Sequence, residues 1–138
     1  MKVFVYFNLH KRCFSIKALE GINKGRVIAH KHNVVLYDAT FKVSEAGRQR
    51  VIREQRKNVH AGVSGTWLNQ LHDWRTVELA QITGQSVMYN PYKYDSFVTT
   101  ASKQPVKTAR TACLGIQYPY VDYVNGKIST KPSIHTLS

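Results

Sequence analysis

Residues 3–43, VFVYFNLHKRCFSIKALEGINKGRVIAHKHNVVLYDATFKV, decide the fold of this chain. Their β-branched and aromatic residues gather in four runs, which is typical of strands. The predicted strands are 3–8, 13–19, 26–30 and 34–43. Turn-forming residues separate them at 8–11, 21–25 and 31–33. Because these connections are short, neighbouring strands should pair antiparallel, and a four-stranded meander is the expected result.

A helix is predicted directly after the fourth strand. Ser44 can accept a hydrogen bond as the N-cap, and Glu45 places a carboxylate near the positive end of the helix dipole. The pattern predicts a helix over 45–59 with one narrow apolar stripe, which would dock on the sheet. Gly62 and Gly65 are expected to end it.

The second half of the chain gives weaker patterns. Residues 66–84 place apolar side chains at helical spacing, whereas 76–79 alternate like a strand, so a short helix or ordered loop followed by a strand is expected. Further strands are predicted over 96–101, 108–115 and 120–124, between turns that contain proline or asparagine.

These elements together predict the α+β class. The expected architecture is an antiparallel β-sheet, with an N-terminal meander plus C-terminal strands, and one principal basic helix across it. The chain has 138 residues, of which 43% are apolar, so it is long enough to fold as a single domain over 1–138. The polar segment 127–138 is expected to be a mobile tail.

The charge balance indicates the class of partner. Twenty Lys and Arg stand against eight Asp and Glu, which gives a formal net charge of +12. Such an excess causes self-repulsion in the compact state and favours association with polyanions, of which nucleic acid is the first candidate. An acidic surface on another protein is the second candidate, and a basic surface that serves only solubility is the third.

Cysteines and apolar runs exclude several classes of protein. Cys13 and Cys113 have neither CxxC nor zinc-like spacing, so no disulfide framework is expected. No apolar run reaches the length of a membrane span, and no secretory h-region follows Met1. We therefore expect a cytoplasmic protein without a membrane partner. His30 and His32 lack a third ligand nearby, so neither a metal nor a cofactor is predicted.

The basic segment GRQRVIREQRKNVH, residues 47–60, carries the strongest functional pattern. At 100° per residue, Arg50, Arg53 and Lys57 share one face of a helix. Arginine forks bind phosphate oxygens, and release of counterions then drives affinity. The candidate phosphate ligands are Arg48, Arg50, Arg53, Arg56, Lys57 and Asn58. The alternative is a solvated helix face in which Arg50 pairs with Glu54.

A second pattern interleaves aromatic and basic residues. Tyr92, Lys93 and Tyr94 combine rings that can stack on bases with a cation that can bind phosphate, as on platforms for single strands. Tyrosine is equally common on half-buried sheet faces, so a core role is the alternative.

His60 is the one candidate catalytic residue. Cations surround it in sequence, so it could act as general base in a metal-independent nuclease. The missing second acid would have to come from His10 or Glu54. The alternative is a histidine at the negative end of a helix. No GxSxG, P-loop, GxGxxG or HExxH motif occurs, so an enzyme is the less favoured class.

The opening MKVFVYFNLHKRCFSIKALEG and the block FKVSEAGRQRVIREQRKNVHAGVSG resemble small uncharacterised accessory proteins of tailed bacteriophages. The resemblance covers about the first 65 residues. It implies expression in a bacterial host cytoplasm and an accessory role, such as interference with a host or defence nucleoprotein. It transfers no catalytic residue.

Three functions remain open at this point. The first is non-enzymatic nucleic-acid binding, by RNA or DNA contacts to the basic helix. The second is an inhibitor or adaptor that binds an acidic surface of a host or defence protein complex through the same cations. The third is a nuclease that uses His60. The oligomeric state is left open.

Overall fold

A computed structural model describes residues 1–55, 59–122 and 127–137, with the backbone alone described in 117–122 and 127–130. It contains two helices, α1 (Glu45–Glu54) and α2 (Asp73–Thr83). Its nine strands are β1 (Lys2–Asn8), β2 (Cys13–Ala18), β3 (Val27–Lys31), β4 (Val34–Val43), β5 (Ala61–Trp67), β6 (Gln85–Met88), β7 (Val98–Thr99), β8 (Thr108–Asp122) and β9 (Lys127–Leu137). All pair antiparallel in one sheet, which confirms the α+β class.

The strand order is β3-β2-β1-β5-β4-β8-β9-β6-β7. β3 and β4 are consecutive in the chain, and only two residues join them, yet three strands lie between them in the sheet. A flat sheet would separate them by about 19 Å, at about 4.8 Å per strand. Three residue steps span at most about 10 Å. The sheet must therefore coil so that the end of β3 comes close to the start of β4.

The main core lies inside this coil. Its members come from β1, β2, β4, β5, β6 and β8, together with Phe97. Leu36 and Leu114 are at most 1% exposed, although within the described part of the chain neither helix contributes a residue to this cluster. The coiled sheet therefore covers its own inner face. On the outer face, α2 packs Val77 and Ala80 against Val35 and Cys113 in a second cluster.

Only part of the predicted meander forms. β1, β2 and β3 pair in order, but β4 pairs with β5 and β8 rather than with β3. β5 was not predicted because Gly62 and Gly65 suggested a helix end. Both glycines lie inside the strand, where a Cβ at Gly62 would meet the carbonyl oxygen of Val5 at 2.5 Å. Glycine is used there because neighbouring backbone approaches closely.

The helix prediction also needs correction. α1 begins at Glu45 as expected but ends at Glu54 instead of 59, because Gln55 adopts a left-handed conformation with φ 52°. Residues 76–79, expected as a strand, lie inside α2. The chain therefore has a second helix besides the principal basic one.

The C-terminal segment differs from the expected tail as well. Lys127–Leu137 forms β9, which pairs with β8 on one side and β6 on the other. It appeared as a polar tail in sequence because two of its buried positions are polar, Ser133 and His135. Among the described residues, no helix is long and apolar enough to cross a membrane.

Candidate nucleic-acid interface

The start of α1 is held by two hydrogen bonds. The Ser44 hydroxyl accepts from the Gly47 amide at 3.3 Å, as the sequence predicted for an N-cap. The Ser44 amide donates to the carbonyl oxygen of His60 at 2.7 Å. The first turn of the helix is thereby tied to the segment that leads into β5.

Arg48 joins α1 to the loop 90–95, which follows β6. Its Nε donates to the carbonyl oxygens of Pro91 and Tyr94, each at 2.9 Å. Its guanidinium also forms an ion pair with Glu45 at 2.8 Å, and its side chain is only 15% exposed. Predicted as a phosphate ligand, Arg48 is engaged by the protein itself and acts as the support that fixes this loop beside the helix.

The loop 90–95 has its own local order. The Asn90 side-chain oxygen accepts from the Tyr92 amide at 3.0 Å, and the Asn90 carbonyl oxygen accepts from the amides of Lys93 and Tyr94. This Asx turn projects Tyr92, which is 59% exposed, and Lys93, which is also exposed. Tyr94 is half-buried. The loop therefore presents one ring and one cation to solvent.

The outer face of α1 carries Arg50 and Arg53. Both side chains are exposed, and no carboxylate in the described ranges forms an ion pair with either of them. The Arg50 to Glu54 pair of the alternative interpretation is therefore not formed. Val51 is buried and turns the opposite face toward the protein. Arg56, Lys57 and Asn58 lie outside the described residues. We refer to Arg50, Arg53, Tyr92 and Lys93 as the α1 surface.

The carboxylate of Glu45 stays charged beside this surface. A hydrogen bond from Gln49, with a further contribution from Arg48, holds the pKa of the Glu45 carboxyl below its usual value. Gln49 Nε2 donates to the carboxylate at 2.8 Å. Glu45 thus accepts from two donors on its own helix, Gln49 and the guanidinium of Arg48.

His60 lies under α1 rather than at its end. Its Nε2 is 2.7 Å from the hydroxyl of Tyr89, and a Cβ at Gly47 would meet its Cβ at 2.6 Å. Burial raises the pKa of Tyr89 to about 12, so the phenol keeps its proton at neutral pH and can donate it to the imidazole. One of the two ring nitrogens of His60 is therefore engaged by a tyrosine hydroxyl.

His10 and Glu54 are the candidates for the second acid of a His60 nuclease. His10 lies in the β1–β2 turn and Glu54 at the last residue of α1, and both are exposed. Neither forms a hydrogen bond to His60 that the described residues show. In the described ranges, no group of histidine, cysteine and carboxylate side chains could hold a metal ion.

A second basic group forms where β1, β2 and β3 meet. Pairing of β2 with β3 sets His30 opposite Ser15, and Lys31 opposite Phe14. The Nζ of Lys11 lies 3.4 Å from Nε2 of His30, whose Nδ1 lies 3.1 Å from the Ser15 hydroxyl. We call Lys11, Arg12 and Lys31, all exposed, the turn cluster. Sequence reasoning missed it because its members lie about 20 positions apart and only strand pairing joins them.

The turn cluster lies near the start of α1 by topology. β1 and β5 are antiparallel, with Val5 opposite Val63, so the end of β1 and the start of β5 are at the same edge of these two strands. The β1–β2 turn with Lys11 and Arg12 follows that end of β1, and His60 immediately precedes β5. The cations of the turn therefore neighbour the segment to which α1 is tied.

Comparison with known proteins gives one consistent match. A family model described as the Mycobacterium phage L5 gene 82 protein matches residues 1–121. The gene 82 protein of Mycobacterium phage L5 is 40% identical over 111 residues, which cover 76% of this chain and 82% of that protein. The match extends well beyond the first 65 residues on which the resemblance was based. No solved structure matches the chain.

Proposed function

The chain belongs to the family of the Mycobacterium phage L5 gene 82 protein, and from this phage origin we propose that it is a non-enzymatic nucleic-acid-binding protein that serves the phage as an accessory factor. Its binding surface is the α1 surface, extended by the turn cluster. The principal support is the contact of Arg48 with the loop 90–95, because it sets exposed cations and an exposed ring on adjacent, ordered elements.

The chemistry of this surface fits a phosphate backbone with unpaired bases. Arg50 and Arg53 have no carboxylate partner among the described residues, so they can bind phosphate oxygens without first breaking an ion pair. Tyr92 can stack on a base while Lys93 contacts the neighbouring phosphate. The formal net charge of +12 adds long-range attraction, which raises the association rate.

The test is a titration of fluorescently labelled single-stranded RNA, single-stranded DNA and duplex DNA, followed by anisotropy between about 50 and 200 mM salt. Affinity should fall steeply as salt rises, because counterion release drives phosphate binding. The double variant Arg50→Ala/Arg53→Ala should bind more weakly, with a salt slope lower by about one unit per lost contact.

The matched control is Lys24→Ala/Arg26→Ala. It removes the same charge from exposed positions in the β2–β3 turn, at the opposite end of β2 from the turn cluster. Equal losses in both double variants would show that net charge alone attracts the nucleic acid, and that the α1 surface is not the site. Absence of binding at low salt would remove the proposal.

The inhibitor or adaptor alternative uses the same cations against an acidic protein surface. Capture of bacterial lysate proteins with and without nuclease treatment separates the two. A host complex that is retained after complete nucleic-acid digestion, and lost with Arg50→Ala/Arg53→Ala, would favour the adaptor. Loss of all partners on digestion is the result expected for a nucleic-acid-binding protein.

The nuclease alternative is tested by incubation of labelled RNA and DNA with the protein in EDTA. We expect no product, since the Nε2 of His60 is occupied by the hydroxyl of Tyr89. Product formation that His60→Ala abolishes would establish the nuclease in place of the binding protein.

A further inference from the structure

The outer face of α2 is apolar although it faces solvent. Leu71, in the turn before the helix, is 89% exposed, and Ile82 near its end is 83% exposed. Leu79 and Trp74 are 55% and 45% exposed. The inner face of α2 is already buried by its packing on the sheet, where Val77 is 1% exposed. Three large apolar side chains on one exposed helix face, with Leu71 exposed just before it, are typical of an interaction surface.

The order of residues on this face is symmetric about its centre. Arg75, Glu78 and Ile82 follow one another at spacings of three and four, so they form a stripe along α2. Leu71 precedes Arg75 by four positions, in the turn before the helix. Trp74 and Leu79 flank the stripe on its two sides. Each residue has a counterpart at the same distance from the midpoint between Thr76 and Val77.

That symmetry is what a second copy of the same helix requires. In an antiparallel pair about a two-fold axis through the midpoint, Leu71 faces Ile82, Trp74 faces Leu79 and Arg75 faces Glu78, each pair occurring twice. Apolar side chains then cover apolar side chains, and opposite charges meet. In the described residues Arg75 and Glu78 form no ion pair with each other. The guanidinium of Arg75 lies over the Trp74 ring, 5.1 Å from its centroid, and can still pair with a carboxylate of the second copy.

The local charge also permits self-association here. A chain of net charge +12 repels its own copies over most of its surface. On the exposed face of residues 71–83 the acid Glu78 stands against the cation Arg75, which gives no net charge with His72 neutral, since Asp73 is partly buried against the sheet. The exposed face of α2 therefore carries no net charge that would oppose the approach of a second copy.

We propose that the outer face of α2 is a dimer interface that binds α2 of a second copy of this chain, antiparallel and about a two-fold axis. The arrangement doubles the α1 surface in each particle. It rests on the face of α2 alone and holds whether or not the chain binds nucleic acid.

Light scattering coupled to size exclusion, and sedimentation equilibrium, test this on the full chain. The wild-type protein should dimerise, and Ile82→Glu should be monomeric with an unchanged far-UV circular dichroism spectrum, because Ile82 does not contribute to the core. A wild-type monomer at the highest soluble concentration would overturn the proposal.

Charge reversal gives the sharper test, since it depends on the antiparallel geometry. Arg75→Glu or Glu78→Arg alone sets like charges opposite each other twice per dimer, which should weaken dimerisation by about tenfold. The double variant Arg75→Glu/Glu78→Arg should recover the wild-type dissociation constant. A mixture of the two single variants should form heterodimers in preference to either homodimer.

Other occupants of this face give different results. Failure of the double variant to recover affinity, together with no heterodimer in the mixture, contradicts the antiparallel pairing. Binding to neutral phospholipid vesicles that Ile82→Glu abolishes, with the free protein monomeric, would replace the second copy by a membrane surface.

Discussion

The two helices lie beside the same sheet but present opposite outer faces. α1 has polar contacts below, through Arg48 and its carbonyl partners, and exposed guanidinium groups above. α2 has an apolar contact below, through Val77 and Ala80, and exposed apolar side chains above. The contacts of these inner faces fix the position of each helix on the protein. The outer faces are not constrained by packing, and they differ in charge and in apolar character.

The largest expected loss of stability comes from adding a methyl group between the sheet and α2. Gly115→Ala places a Cβ against Cγ1 of Val77, a stiff β-branched side chain, so the helix must shift from the sheet. Overpacking of this kind should cost about 1–3 kcal/mol of unfolding free energy, measured by urea denaturation. In a Val77→Ala background the clash is absent. Gly115→Ala should therefore lower the unfolding free energy by less in that background than in the wild-type protein. Equal losses in both backgrounds would show that Val77 does not oppose Gly115.

A comparison of two arginines in α1 gives the next effect. Arg48→Ala leaves the carbonyl oxygens of Pro91 and Tyr94 without their donor and should cost about 1–3 kcal/mol of unfolding free energy. Arg50→Ala, on the exposed face, should change stability by at most about 0.5 kcal/mol. Faster amide exchange in the loop 90–95 is expected in the Arg48 variant only. Similar stability for the two variants would contradict the anchoring role of Arg48.

His135, in the sheet near α2, should make the unfolding free energy depend on pH. Burial lowers the pKa of His135, which lies opposite Cys113 in the ladder of β8 and β9. The folded state therefore disfavours the charged form more than the unfolded state does. Stability should be fully present above the ordinary pKa of about 6.5 and should decline as pH falls through it toward the folded value.

His135→Gln is the control for this pH dependence, because glutamine does not titrate. The unfolding free energy of that variant should change less than that of the wild type between about pH 7 and 5. A decline of the same size in both proteins would assign the pH dependence to other groups.

The smallest effect concerns thiol chemistry beneath α2. Burial raises the pKa of Cys113 to about 11, so very little thiolate exists at neutral pH. In a Cys13→Ser background, which leaves one thiol, Cys113 should not react with a disulfide reagent in the native protein and should react fully in denaturant. Rapid native labelling would mean that the sheet beneath α2 opens.

The sequence predicted the elements whose pattern is local. β1 to β4 were found within one residue at each end, since alternation and turn residues lie within each segment. Ser44 was recognised as the N-cap for the same reason. β5 was missed because Gly62 was interpreted as a helix end. The strand has glycine there because the backbone of the neighbouring strand approaches closely. α2 was misassigned because apolar residues lie on both of its faces, which removes the helical periodicity that a surface helix normally shows.

The features of the candidate site also fall into those that local sequence predicts and those that long-range contacts create. Net positive charge and the exposure of Arg50 and Arg53 follow from composition and helical spacing, which the sequence contains. Only the tertiary structure decided that Arg48 holds a loop more than 40 positions away and that Lys11 meets His30. Those contacts join residues distant in the chain through strand pairing and loop docking. The coiling of the whole sheet sets such long-range geometry, and local sequence does not encode it.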